Sequence, residues 1–343
     1  MKKNYLAILY GLFGDVAALS AFSNLIGETA SERFSLVTLE KFSRFSEVYG
    51  AYKQVIPFDP SHPEISVTHV NDMGIDVLSD LHSSSFNSPE YIEWLQTLHV
   101  AKIRTAKCRC PAFFNPMSPI ELLEDRIIDS DVHNVQNYSN RLGAFGITLG
   151  KDMLRLYPTA DDYQYSLEEK LRYSKRPIVS LVPKSNFSYK EWDLDNWCAL
   201  SDRLITRTGA QLIINCATYE MPELLGFAQS IGAIIYAAET PETQVRNLLV
   251  ADLVITIDTG LKHIAGYLGL PVISLYGHTT PSIWGTLSST EIPVLSPFPC
   301  DTNKDSETCK SIGPPCINYI LPSQVFKAVE KAIGELHESL LPA

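Results

Sequence analysis

Short apolar runs alternate with stretches of helical periodicity along most of the chain, and that alternation predicts the elements. Tyr5–Tyr10 reads as a strand, Gly11–Asp15 as a loop with two glycines, and Val16–Ile26 as a helix. Phe34–Thr38 predicts a second strand, Phe42–Tyr49 a helix, Gln54–Phe58 a third strand and Ile75–Leu78 a fourth. His82–Ser88 is a serine-rich polar loop, Tyr91–Thr97 reads as a helix and Ala101–Thr105 as a strand. Cys108–Pro119, with three prolines and two aromatics, predicts an irregular loop or lid. Leu122–Leu142 carries a helical pattern that includes His133. Strands and helices in alternation build a parallel sheet covered by helices on both faces.

Thr159–Arg176 is polar and charged without a core pattern, so an inter-domain linker is expected there. The rhythm then restarts with a strand at Pro177–Val182, a polar loop at Pro183–Trp192 and a helix near Asp195–Arg207. Gln211–Asn215 and Ala233–Tyr236 read as strands, Glu220–Ser230 and Glu242–Val250 as helices. Leu321–Leu340, introduced by Pro322 and Ser323, reads as a closing helix. The expected division is residues 1–165, residues 177–320 and a terminal helix over 321–343. Two α/β domains in series predict a cleft between them, a common place for a ligand.

Leu253–Gly285 is the most informative stretch. An apolar strand ends at Ile257, and Asp258-Thr259-Gly260 breaks it. A helix carrying His263 follows, then Gly269-Leu270-Pro271, a second apolar strand and Tyr276-Gly277. This is about the size of one βαβ unit. Its polar residues gather where the first strand meets the helix. That edge binds ligands in open α/β sheets, and helix-start N–H groups there favour anions.

Size and charge narrow the classes. A chain of 343 residues exceeds one ordinary core. Its net charge of -11 argues against non-specific nucleic-acid binding, and no nucleic-acid partner is expected. No apolar run is long enough to span a bilayer. The start, MKKNYLAILYGLFGD, has two lysines before an apolar run, as a signal peptide does. It lacks a small-residue cleavage pattern and continues as strand, loop and helix, so a cytoplasmic protein is expected. Seven irregularly spaced cysteines fit reduced thiols better than a disulfide framework.

Several constellations can carry chemistry, each beside a plainer reading. In Asp258-Thr259-Gly260 with His263, the glycine lets a ligand approach the backbone, Asp258 can accept from sugar hydroxyls, and Thr259 can hold phosphate. The plainer reading is a helix cap with a packed histidine. Gly11-x-x-Gly14-Asp15 suits a substrate-holding loop, or Asp15 merely complements a helix dipole; the dinucleotide fingerprint would need a third glycine. In Ser185–Lys190, the lysine can reach a diphosphate or can be an ordinary solvated one. Lys102, Arg104, Lys107 and Arg109 can receive an anionic acceptor or line a solvated edge strand. Cys300, Cys309 and Cys316 offer three possible metal ligands without a C-x-x-C pair. His278 or Cys108/Cys110 would have to complete a site, and the expectation is no metal. The D-x-D triplets Asp129–Asp131 and Asp193–Asp195 read as caps or surface acids.

Taken together, Gly14-Asp15, Lys190-Glu191-Trp192 and Asp258-Thr259-Gly260-x-x-His263, followed by Gly269-x-Pro271 and Gly277, resemble glycosyltransferase family 9. This is the family of the heptosyltransferases of lipopolysaccharide core assembly. The likeness spans nearly the whole chain, and the D-T-G-x-x-H block is its most specific part. The resemblance implies an α/β GT-B fold, two Rossmann-like domains facing across a cleft. The first domain would bind the acceptor and the second the nucleotide-sugar, with the last helix crossing back to the first domain.

The resemblance also implies inverting transfer without a metal or other cofactor. The donor would be ADP-L-glycero-D-manno-heptose and the acceptor a glycan or lipid-linked glycan at the inner face of the inner membrane, which the enzyme would touch peripherally. Asp15 would be the general base. Lys190, Thr259 and helix-start N–H groups, with Ser185 and Gly260 in the same turns, would hold the leaving diphosphate. Asp258 would bind the donor sugar, Glu220 or Glu223 the ribose, and His263 the turn or a phosphate. Gly14, Lys102 and Arg104 would face the acceptor. The alternatives left open are another nucleotide-sugar, a protein acceptor, or a non-catalytic sugar-nucleotide-binding protein.

Overall fold

The computed structural model describes residues 4–9, 11–29, 34–81, 94, 97–98, 102–105, 121–123, 133–142, 149–150, 153–298 and 315–339. The chain divides into two units, Met1–Leu156 and Tyr157–Ala343.

The first unit runs β1 (Tyr5–Leu9), α1 (Phe13–Thr29), β2 (Ser35–Leu39), α2 (Glu40–Tyr49), β3 (Val55–Phe58), α3 (Pro63–Asp72), β4 (Val77–Asp80), β5 (Lys102–Thr105), β6 (Glu121–Leu123) and α4 (Asn134–Leu142). Its strands lie in the order β3-β2-β1-β4-β5-β6, every neighbouring pair parallel. β1 is apolar because helices cover both faces of a parallel sheet. Helix α1 is buried on all sides from Val16 to Ile26, which explains its run of alanine, serine and leucine rather than an amphipathic stripe.

Two expectations change here. Leu122 and Leu123 belong to strand β6, paired with Ile103 and Arg104, not to the start of a helix; the helical stretch is Asn134–Leu142. Helix α3 was not foreseen because only Ser66 and Val70 of its ten residues are buried, too few to print a periodicity. Most of the expected helix Tyr91–Thr97, and the loops His82–Ser88 and Cys108–Pro119, lie outside the described residues.

The second unit runs α5 (Ala160–Leu171), β7 (Ile178–Val182), α6 (Leu194–Thr208), β8 (Gln211–Ala217), α7 (Met221–Ile231), β9 (Ile234–Ala238), α8 (Pro241–Leu249), β10 (Leu253–Ile257), α9 (Gly260–Tyr267), β11 (Val272–Tyr276), α10 (Pro281–Trp284), β12 (Glu291–Leu295) and α11 (Pro322–Ser339). The strand order is β12-β11-β10-β7-β8-β9, again all parallel. Numbered within its own unit, each sheet reads 3-2-1-4-5-6, the doubly wound Rossmann order. Trp192, Trp197, Leu204 and Phe227 share one buried core with strand residues such as Ile255 and Leu275 and with Val325 and Val329 of α11. The closing helix thus buries its apolar face within the second unit.

The segment expected as a linker is helix α5 in this unit. Thr159 accepts from the Asp162 amide at 3.2 Å while Asp162 accepts from the Thr159 amide at 2.9 Å, a capping box. Asp162 is buried and paired with Arg246 at 2.6 Å, and Lys170 reaches Asp252 at 3.1 Å. Polar contacts dock this helix in place of an apolar stripe, so no core pattern marked it in sequence.

Candidate active site

In each unit the strand order reverses beside the first strand, between β1 and β4 and between β7 and β10. Loops leaving the carboxyl ends of such neighbours diverge and leave a crevice, the usual ligand position in this topology.

In the second unit β7 and β10 are in register, with Thr256 opposite Val182. The loops carrying Lys190 and Asp258 therefore leave the sheet as neighbours. Lys190 sits in the short turn Ser188–Lys190, and its Nζ lies 3.1 Å from Oδ2 of Asp258. Thr279 donates to the same Oδ2 at 2.8 Å. One helical turn beyond Asp258, Lys262 donates to Oδ1. It also donates to the Tyr276 hydroxyl at 2.9 Å and to the Trp284 carbonyl at 2.7 Å. Lys262 is 0% exposed and Asp258 7%. The Tyr276 hydroxyl donates in turn to Glu291 at 2.7 Å, whose other oxygen accepts from the amide and hydroxyl of Thr286.

The electrostatics follow from this wiring. Burial on its own would push the Asp258 carboxyl up, but the ammoniums of Lys262 and Lys190, with His263 behind them, hold it well below the usual carboxylate range. Burial, then Glu291 and Asp258, push the Tyr276 phenol well above its ordinary value, so it serves as a neutral donor. His278 stands edge-on to Tyr189 at 4.7 Å between ring centres. Burial and then Lys190 bring its imidazole down to about 4.

The expected donor residues lie in three turns of the second unit, after β7, β8 and β10. Thr259 precedes α9 in extended conformation, and its hydroxyl makes no capping bond. That oxygen is buried and has no hydrogen-bond partner among the described residues. Gly260 is the first residue of α9, and His263 lies on the same helix with its ring 6.0 Å from that of Tyr267. Ser185 donates its amide to Glu191 at 3.1 Å and accepts at Oγ from the Phe187 amide at 3.2 Å. Glu220 closes the turn after β8 by accepting from the Ala217 amide at 2.8 Å. Its half-buried carboxyl is raised, burial outweighing that bond. Glu223 is exposed and pairs with Lys184 at 2.9 Å. Asp258, expected to meet a sugar directly, accepts from Lys262 at Oδ1 and from Lys190 and Thr279 at Oδ2.

In the first unit the loop after β1 is shorter than expected, because Gly14 and Asp15 already belong to the first turn of α1. Asp15 accepts from the Leu12 amide at 3.2 Å through Oδ2 and from the Tyr138 hydroxyl at 2.8 Å through Oδ1. An added Cβ on Gly11 would stand 3.2 Å from Cβ of Asp15, so a larger residue would press on the carboxylate's stem. Lys102 and Arg104 lie on β5, with their side chains outside the described residues, as are Lys107 and Arg109. Cys300 and Cys309 also lie outside them, and Cys316 stands at the start of the turn Cys316–Tyr319. Among the described residues no group of three or more histidine, cysteine or acidic side chains could hold a metal.

Sequence reading missed Lys262, Tyr276, Glu291, Thr279 and Tyr138. For Lys262 a signal existed: a lysine four residues after Asp258, inside the otherwise apolar helix GLKHIAGY, has its nearest counter-ion one turn back. Nothing local pointed to Tyr138, which lies 123 residues from Asp15.

Comparison with known proteins adds to this geometry. The sequence model of glycosyltransferase family 9 (heptosyltransferase) matches residues 127–311, more than half of the chain. No curated protein matches the chain in sequence. Among solved structures, the glycosyl transferase family 9 protein from Veillonella parvula superposes with a TM-score of 0.78 at 17% identity, covering 98% of this chain and 99% of that one. The E. coli ADP-heptose lps heptosyltransferase II follows at 0.73 and 16% identity, covering 97% and 99%. The E. coli heptosyltransferase WaaC with ADP gives 0.67 at 15% identity, covering 96% and 99%. At such identities the likeness is one of fold: two Rossmann-like units in one chain, the GT-B class.

Proposed function

Because the chain belongs to glycosyltransferase family 9, we propose that it moves heptose from ADP-heptose to a lipopolysaccharide core or related glycan acceptor, with inversion and without a metal. The observation that carries this reading is that, at the switch point of the second sheet, Lys190 bonds the carboxylate of Asp258, the residue before Thr259, whose buried hydroxyl at the start of a helix has no partner among the described residues. A buried hydroxyl without a partner is costly unless something binds it, and an anion at a helix start is what these groups suit. The ADP bound to the E. coli WaaC structure supports the same choice of donor.

In the proposed mechanism Asp15 takes the proton from the acceptor hydroxyl, whose oxygen attacks the anomeric carbon from the face opposite the diphosphate. The glycosidic bond forms as the bond to the diphosphate oxygen breaks, and ADP leaves with the electron pair. Negative charge grows on the diphosphate in that step. Lys190, Thr259 and the first N–H groups of α9 stabilise it, as preorganised dipoles and charge do in a water-poor site. Ser185 and Gly260 line the two donor loops, Glu220 or Glu223 takes the ribose, and Asp258 meets the donor sugar while holding Lys190 in place. His263 supports the turn. Gly14 lets the acceptor approach, with Lys102 and Arg104 as its anion partners. Among the described residues no helix is long and apolar enough to cross a membrane, so a lipid-linked acceptor would be met at the inner membrane face by peripheral contact.

Incubating purified protein with ADP-heptose and Kdo-bearing lipid A tests the reading. ADP release that depends on the acceptor is expected, together with a product inverted at the anomeric carbon. No ADP release with any glycan acceptor, and no binding of ADP-heptose, would overturn it.

A further inference from the structure

Lys262 is the one fully buried ammonium in the described core, and its place beside Asp258 poses a question of charge. Asp258 is buried too, and a buried carboxylate without a counter-ion is strongly unfavourable. If Lys190 were its only cation, Lys190 could not turn toward a ligand without stranding that charge. The structure holds a second cation on the opposite oxygen. Lys262 bonds Oδ1, and its other two N–H groups are used by the Tyr276 hydroxyl at 2.9 Å and the Trp284 carbonyl at 2.7 Å, so it is fixed. Lys190 bonds Oδ2 from a short turn, its side chain remains partly exposed, and Thr279 also supports that oxygen.

We propose that Lys262 is a positioning residue that serves as the standing counter-ion of Asp258, freeing Lys190 to transfer its ammonium from Asp258 to the donor diphosphate. The proposal rests on the reading of Lys190 as a diphosphate ligand. The two lysines and Asp258 together carry one surplus positive charge, which is what the arriving diphosphate meets. Glu291 is linked to Lys262 only through the Tyr276 hydroxyl and is itself occupied by Thr286. When the diphosphate departs as ADP, Lys190 returns to Oδ2 and the resting arrangement is restored.

The test is a charge-removal cycle read by calorimetric binding of two probes, ADP and inorganic pyrophosphate. In K262M, Asp258 has Lys190 alone, and both probes are expected to bind at least about tenfold more weakly. In D258N/K262M the carboxylate is gone, Lys190 is released, and affinity is expected to return to within about threefold of the unmodified protein. K262Q retains hydrogen-bonding capacity without charge and carries the same expectation as K262M should the latter fail to fold. A purely structural Lys262 would not predict recovery on removing a second member of the network. Undiminished binding in both folded single variants, or a double variant as weak as K262M, would overturn the proposal. Binding of pyrophosphate but not ADP by the unmodified protein would sink the donor reading alone, leaving the cycle to be read on pyrophosphate. Binding of neither probe would sink both.

Discussion

Lys190 and Asp258 stand 68 residues apart in sequence, and their side chains meet at 3.1 Å. Each ends a different strand–loop connection, and the parallel register of β7 with β10 is what makes the two loops neighbours. The ion pair is half of a buried relay that continues through Lys262 and Tyr276 to Glu291. A charge pair of this kind, mostly removed from water, is screened far less than a surface pair.

Thr259 separates the capping reading of this turn from the ligand reading. A threonine that capped α9 would cost about 1 kcal/mol of stability when its hydroxyl is removed. Here the hydroxyl makes no capping bond and has no partner among the described residues. T259V is therefore expected to leave the unfolding free energy nearly unchanged in urea titrations. A hydrogen bond to a charged group contributes about 1.5–3 kcal/mol, so ADP affinity measured by calorimetry should fall by about tenfold or more. Loss of stability with intact ADP binding would restore the capping reading.

D15N separates chemistry from binding. Asparagine keeps one oxygen, which can accept from Tyr138 or from the Leu12 amide but not from both, and it cannot take a proton. Steady-state ADP release should show kcat reduced by about 10²–10⁴-fold, the range for loss of a general base. ADP-heptose affinity should be unaffected. A variant retaining most of its turnover would remove Asp15 from the reaction.

His278 gives a pH signature. Its imidazole is held down to about 4 from 6.5, by burial first and the Lys190 charge second. A histidine of depressed pKa is neutral in the folded protein while the unfolded chain takes up a proton, so stability rises with pH across the interval. The contribution is present above pH 6.5 and is lost as pH falls toward 4, below which both states are protonated. Histidine ring resonances followed by NMR should show His278 titrating far below the exposed His62. In K190A its midpoint should move upward, because the second cause is gone. An unchanged midpoint in that variant would assign the whole depression to burial.

Gly266 and Gly226 make a matched pair. A Cβ on Gly266 would lie 2.6 Å from Cβ of Thr286, which is 0% exposed and twice bonded to Glu291. G266A should be destabilised by about 1–3 kcal/mol, the usual cost of overpacking. Nothing lies within 4 Å of a Cβ on Gly226, an exposed position in α7. G226A should be neutral or more stable by up to about 1 kcal/mol, since alanine favours the helix. Thermal unfolding of the two variants side by side checks both signs.

Much of the fold was legible in the sequence because parallel strands buried on both faces must be apolar throughout. LVITI, VISLY and IVSLV read as strands for that reason, and all three are fully buried. Asp258-Thr259-Gly260 was likewise legible as a polar turn, since acid, threonine and glycine between a strand and a helix have few other uses. Elements docked by polar contacts were not. Helix α5 is held by a capping box and the Arg246–Asp162 pair, and β12, at the sheet edge, buries only Val294 of its five residues.

The local sequence thus determined which segments become strands and helices and which turns carry charge, because burial leaves its mark on the residues that undergo it. Which turns become neighbours was decided only by the tertiary structure. Strand order joins β7 to β10 across most of a domain, and no local pattern encodes that distance. The same holds for the state of the charges. That Lys262 is sealed beneath Asp258, and that Lys190 shares one carboxylate with it, depends on what surrounds them after folding, when water has been replaced by the side chains of distant elements.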